Sequence, residues 1–125
     1  MSHINTTWEI NGVSLELDLQ DVEQSRAYEK AFELMGEDEK KIPKDGSLAD
    51  VLLAKCNMFR HLYDNLFGEG TSEKIFGKRN HQGEMMDAYE SFLNFVSKQS
   101  ADILDADNQF AARFNPNRAM RRAKK

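Results

Sequence analysis

The sequence predicts a mainly α protein of the α+β class, with an N-terminal β-hairpin followed by three helices, the last two antiparallel. Three observations predict it. Asn11-Gly12 stands between two alternating apolar runs, a strong hairpin signal because a type I′ turn needs positive φ at both central residues. Three later stretches carry apolar residues at three-to-four spacing, the period of an amphipathic helix. The run Leu66-Phe67-Gly68-Glu69-Gly70-Thr71-Ser72-Glu73-Lys74-Ile75-Phe76-Gly77 joins the two longest of these stretches. Its glycines and its short apolar pair, Ile75 and Phe76, fold one long helix back towards the other.

The hairpin is expected over residues 6–19. Trp8 and Ile10 alternate with Thr7 and Glu9; Val13, Leu15, Leu17 and Leu19 alternate with Ser14, Glu16 and Asp18. A two-residue turn pairs Ile10 with Val13, Trp8 with Leu15 and Thr6 with Leu17. All three pairs fall on one face, so turn chemistry and apolar pattern agree on the register. A lone hairpin is marginal in water, so this one must lie on the helices or pair its edges with another chain.

The first helix is expected from Asp21 to about Glu37. Asp21 and Gln24 form a start like a capping box, and Val22, Ser25, Tyr28, Ala31, Phe32 and Met35 form its stripe. Gly36 falls near its end, and residues 37–46, charged and holding Pro43 and Asp45-Gly46, read as an exposed loop. The second helix is expected over residues 47–67, with Ser47 and Asp50 at its start and a stripe from Leu48 through Cys56, Phe59, Leu62, Tyr63 and Leu66. Gly68 sits where a glycine ends a helix. Residues 71–76 suit one short helical turn, capped by Thr71 or Ser72 and ended by Gly77. A third long helix opens at Asn80 or Gly83. Its stripe runs through Met86, Tyr89, Phe92, Leu93, Val96, Ser100, Ile103, Leu104, Asp107 and Phe110. The pattern thins after Gln99, so the last turns are expected to extend past the core. Asn115-Pro116 stops the helix.

The chain of 125 residues suits one domain, placed at residues 1–112, with a flexible basic tail at 113–125. The net charge of −4 hides an asymmetry. From Arg113 onward there are six basic side chains and no acid, while the rest of the chain holds 11 basic against 21 acidic groups. No apolar run approaches the roughly 18 residues of a membrane span. No basic flank precedes an apolar segment near Met1, so a signal peptide is not expected. Cys56 is the only cysteine, which excludes an internal disulfide and fits a reducing compartment.

Catalytic and metal chemistry find no foothold. Residues 68–74 lack the spacing and the Gly-Lys-Ser/Thr ending of a phosphate loop, and Glu69 and Glu73 would repel phosphate. Cys56 and His61, five apart on a helix, are about 140° apart round its axis and cannot share a metal ion. No enzyme activity and no cofactor are expected. The tail residues Arg118, Arg121, Arg122, Lys124 and Lys125 have three readings: a solvated terminus, contact with an acidic protein surface, or contact with nucleic acid through phosphate charge. The acidic body argues against the third.

The aromatic supply of the last two long helices reads first as core. Phe92, Leu93, Phe95 and Val96, however, occupy nearly all sides of one stretch of helix, with Met85 and Met86 just before them. A helix apolar on more than one face has a large core or a second partner. Met85, Met86, Phe92, Phe95 and Val96 are therefore the candidate protein-binding residues. Phe92 is the core candidate among them, and Phe95 lies at the stripe's edge. Self-association is expected from the same surplus.

The block Asp64-Asn65-Leu66-Phe67-Gly68-Glu69-Gly70-Thr71-Ser72-Glu73-Lys74-Ile75-Phe76-Gly77, followed by Tyr89-Glu90-Ser91-Phe92-Leu93-Asn94-Phe95-Val96, resembles the tail assembly chaperones of long-tailed phages and prophages of Gram-positive bacteria. The opening Trp8-Glu9-Ile10-Asn11-Gly12 and the helix after it fit as well, so the resemblance spans about residues 5–100; the basic tail departs from it. It implies a non-catalytic protein of the host cytoplasm, absent from the finished virion. Such a protein coats the hydrophobic helical tape-measure protein until tube protein polymerises around it. The implied partners are the tape-measure protein, the tail tube protein and further copies of the chain. The rival reading is a small structural or DNA-associated phage protein working through its basic tail.

Overall fold

A computed structural model describes residues 4–114. Two strands, β1 (Thr7–Ile10) and β2 (Val13–Glu16), precede four helices: α1 (Val22–Lys40), α2 (Leu48–Phe67), α3 (Thr71–Phe76) and α4 (Gln82–Phe114). The mainly α fold with an N-terminal hairpin is as the sequence predicts, and the connector's helical turn is a helix in its own right.

The strands pair antiparallel, with Trp8 opposite Leu15 and Ile10 opposite Val13. The Leu17 N–H donates to the Thr6 carbonyl at 2.8 Å, extending the pairing by one step. Asn11 and Gly12 have φ of 50° and 79°, the pair of positive values that a type I′ turn requires. The turn is not left in solvent: Asn11 Nδ2 donates to the Ile75 carbonyl at 3.0 Å, which ties the hairpin's tip to α3.

Asp21 caps α1 by accepting from the Glu23 N–H. Gln24 does not reach back to Asp21 as a capping box would; its Oε1 accepts from the Asp18 N–H at 2.8 Å. The helix also passes Gly36 and ends at Lys40, so the loop is shorter than expected. Nothing at Gly36 demands a positive φ, and a glycine alone weakens a helix without stopping it. Ser47 caps α2 as expected, accepting from the Asp50 N–H at 3.1 Å.

The cap of α3 comes from elsewhere than Thr71 or Ser72 themselves. Asp64, in the last turn of α2, accepts from the Ser72 N–H at 2.7 Å and from its hydroxyl at 3.0 Å. The Thr71 hydroxyl donates to the Gly68 carbonyl. Gly70, at φ 90°, makes the left-handed step that lets α3 fold back along α2.

That reversal changes the helix arrangement. Arg60 of α2 donates to the carbonyls of Gly77 and Arg79 and to Asn80 Oδ1, at 2.8–2.9 Å. The chain has therefore returned to mid-α2 before α4 begins. Ring contacts then rise together: Phe59 meets Tyr89, Tyr63 meets Phe92, and Phe67 meets Phe92. So α4 runs in the same sense as α2, and the expected antiparallel pairing of these two is corrected. The antiparallel partner of α4 is α1, where Phe32 meets Tyr89 and Tyr28 meets Phe92.

Phe92, fully buried, lies at the centre of the aromatic core. Trp8 packs edge-on to it at 5.0 Å and stacks on Tyr63 at 5.6 Å. The first turns of α1 and α2 overshoot this core, leaving Val22 and Leu48 exposed although both lie on the expected stripes.

Candidate protein-binding site

The five candidate residues on α4 do not form one surface. Met85, Phe92 and Val96 belong to the core, each 7% exposed or less. The expected stripe took Met86 as inward; the structure buries Met85 and leaves Met86 half exposed. Helix phase explains the correction. Met85 is seven residues before Phe92 and so shares its side of the helix, whereas Met86 is about 100° further round.

Two of the five remain near the surface, on opposite flanks of the core stripe. Met86 and Phe95 are nine residues apart, about 180° round the axis. On the Met86 side, Leu93 follows two turns later and is 37% exposed. The Met86–Leu93 side is thus an apolar strip outside the core. On the other side, Phe95 packs partly against the core and lines an open groove of about 400 Å³ between α4 and β1. The groove is polar at its rim. Lys98 pairs with Asp102 at 2.8 Å, and the Trp8 indole N–H donates to Ser91 Oγ at 3.1 Å.

The groove's floor contains a residue that the periodicity did not single out. Gln99 is buried, and its amide is fully engaged. Nε2 donates to the carbonyls of Asn5 (2.9 Å) and Leu17 (2.8 Å), and Oε1 accepts from the Leu19 N–H at 2.6 Å. The signal was its place in the stripe between Val96 and Ile103. A polar residue at such a position is buried only when its hydrogen bonds are met.

Among the described residues no group of three or more His, Cys, Asp or Glu side chains is placed to hold a metal ion. Cys56 is buried in the core, and burial pushes its thiol up, away from the reactive thiolate. His61 Nδ1 sits 2.9 Å from Asp38 Oδ2, a contact between α2 and α1 on the outside of the bundle. Burial, reinforced by Tyr89, also pushes the Tyr63 phenol well up, and its hydroxyl meets no hydrogen-bond partner among the described residues. No helix of the described residues is long and apolar enough to cross a membrane. The basic-tail candidates Arg118, Arg121, Arg122, Lys124 and Lys125 lie outside the described residues.

A family of unknown function, DUF6673, matches the chain over residues 11–125, and the chain belongs to it. No curated protein and no solved structure matches the chain.

Proposed function

We propose that this member of DUF6673 is a non-catalytic tail assembly chaperone that holds an apolar helical segment of a tape-measure protein during phage tail assembly. The observation that carries the proposal is the Met86–Leu93 side of α4: two large apolar side chains, two turns apart, standing exposed beside a core that is already filled. An amphipathic helix laid along that strip would cover them with its own i, i+3, i+4 stripe. Methionine suits such a surface because its unbranched side chain adapts to varied partners. The resemblance over about residues 5–100 supports the same reading. The groove lined by Phe95 is the second surface open to the partner.

The test is co-expression with a tape-measure protein, to be sought as a very long helical reading frame beside the gene for this chain. The wild-type chain should keep that protein soluble. Met86→Asp combined with Leu93→Asp should abolish the effect while the chaperone itself stays folded. If the wild type leaves the tape-measure protein insoluble, the proposal fails. If only Phe95→Asp abolishes the effect, the partner lies in the groove and not on the strip.

A further inference from the structure

The Met86–Leu93 strip continues beyond those two residues. Leu104 follows Met86 by 18 positions, five full turns, and so stands on the same line of α4. Ser100, seven positions after Leu93, fills the interval. Leu104 is exposed. With Ser100 and Ile103 it lines a shallow apolar pocket against Leu19, Ser25 and Tyr28. The line from Met86 to Leu104 is about 27 Å long at 1.5 Å per residue, and α1 runs antiparallel beside it.

Three carboxylates border this line. Glu90, four positions after Met86 and three before Leu93, borders it on α4 itself. On the α1 side, burial and then Glu39 push the Tyr89 phenol up, so Glu39 stands close to α4 near the Met86 end. Glu29 lines the pocket at the Leu104 end. All three are exposed, and among the described residues none of them is in an ion pair. Lys40 and Lys30, which adjoin Glu39 and Glu29 in sequence, are held by Glu37 and Glu33 instead. In the Phe95 groove, by contrast, Lys98 is already matched by Asp102.

Carboxylates along an apolar line select a partner by the sign of its charge. We propose that the helix held on this strip is cationic: an amphipathic helix of about five turns, with its apolar stripe on Met86, Leu93 and Leu104. Its Lys or Arg side chains lie against Glu90 on one margin and against Glu29 and Glu39 on the other. The inference rests on the strip of the proposed function and adds the charge of the partner. Exposed ion pairs contribute little singly; three together amount to about a tenfold change in affinity.

Two synthetic peptides of about 18 residues test it. Both carry leucines at i, i+3, i+4, i+7 spacing; one has lysines at the flanking positions, the other glutamates. Fluorescence anisotropy with the full chain should show the lysine-flanked peptide binding at least about tenfold more tightly, an advantage that shrinks as salt rises. Glu29→Gln, Glu39→Gln and Glu90→Gln together should remove the advantage. The melting temperature should not change, because all three side chains are exposed. A lysine-flanked peptide with scrambled leucines should not bind. Equal binding of the two peptides overturns the proposal, as does a triple variant that keeps the preference. Binding of the scrambled peptide would show charge acting alone and overturn it too. If removal of residues 118–125 raises the affinity of the lysine-flanked peptide more than tenfold, the chain's own basic tail is the occupant, and the proposal falls. A missing preference beside a tape-measure protein kept soluble would overturn this inference and leave the proposed function standing. A preserved preference beside an insoluble tape-measure protein would do the reverse.

Discussion

The Leu19 N–H and the side-chain Oε1 of Gln99 meet at 2.6 Å, joining residues 80 apart in sequence where the hairpin hands over to α1. The Gln99 Nε2 bonds to Asn5 and Leu17 complete the closure. One amide thus holds both ends of the hairpin against α4, a job that apolar packing cannot do because the groups it satisfies are backbone polar groups.

Gln99→Leu keeps the volume and removes all three bonds. Each buried polar group left unpaired costs about 1–3 kcal/mol, so we expect a loss on the order of 2–4 kcal/mol, since Asn5 is partly solvated. Urea unfolding followed by circular dichroism measures it. A loss below about 1 kcal/mol would show that water takes over these groups.

Asp64 caps α3 from outside that helix, through two bonds to Ser72. Asp64→Ala should destabilise the protein by about 1–2 kcal/mol, the range of a lost N-cap. Asp64→Asn keeps an oxygen for the Ser72 N–H and should lose about half as much. Equal losses would mean that charge, not the acceptor oxygen, is what matters at this cap.

Phe92 makes ring contacts with Trp8, Tyr28, Phe32, Tyr63, Phe67 and Phe95. Truncating such a side chain alone costs about 3–5 kcal/mol, and a buried carboxylate adds to that. Against a total stability of roughly 5–15 kcal/mol, Phe92→Asp should leave no cooperative thermal transition. Phe95→Asp, at the groove's edge, should still melt cooperatively. If both variants unfold, Phe95 is as much a core residue as Phe92.

All three tyrosines, Tyr28, Tyr63 and Tyr89, have phenols pushed above their ordinary value, first by burial and then by a neighbouring group. A folded-state pKa above the unfolded value means that, past pH of about 10, the unfolded chain holds fewer protons than the folded one. Stability is then fully present below that pH and falls as pH rises further. Absorbance at the tyrosinate band should therefore rise together with loss of helical signal, not before it. A full three-tyrosine titration near the ordinary value with the helices intact would refute the burial.

Removing residues 118–125 should leave the melting temperature unchanged, because beyond Pro116 the sequence carries no large apolar side chain except Met120. The same truncation tests the rival reading. A DNA-binding tail would give duplex binding that falls steeply with salt and vanishes on truncation; we expect no such binding. Salt-sensitive binding lost on truncation would favour the DNA-associated reading.

Local rules carried the sequence a long way. The type I′ turn at Asn11-Gly12, the hairpin register and the Ser47 cap are set by residues within a few positions of one another, so spacing alone determines them. The thinning of the α4 stripe after Gln99 likewise agrees with the structure, where no residue with a described side chain beyond Gln99 is buried. Spacing could not say how far α3 would carry the chain back along α2. That is decided by Gly70, by Asp64 reaching Ser72 and by Arg60 gathering the carbonyls of Gly77 and Arg79, and it turns α4 to run with α2 rather than against it. Nor could it tell Met85 from Met86, since a stripe one residue out of phase is still apolar. Only the packed neighbours choose which of two adjacent side chains faces inward. The place of Gln99 in the stripe is visible in the sequence, but its burial is decided the same way. A glutamine becomes a core residue only when three backbone partners, brought from Asn5, Leu17 and Leu19, arrive at its amide in three dimensions.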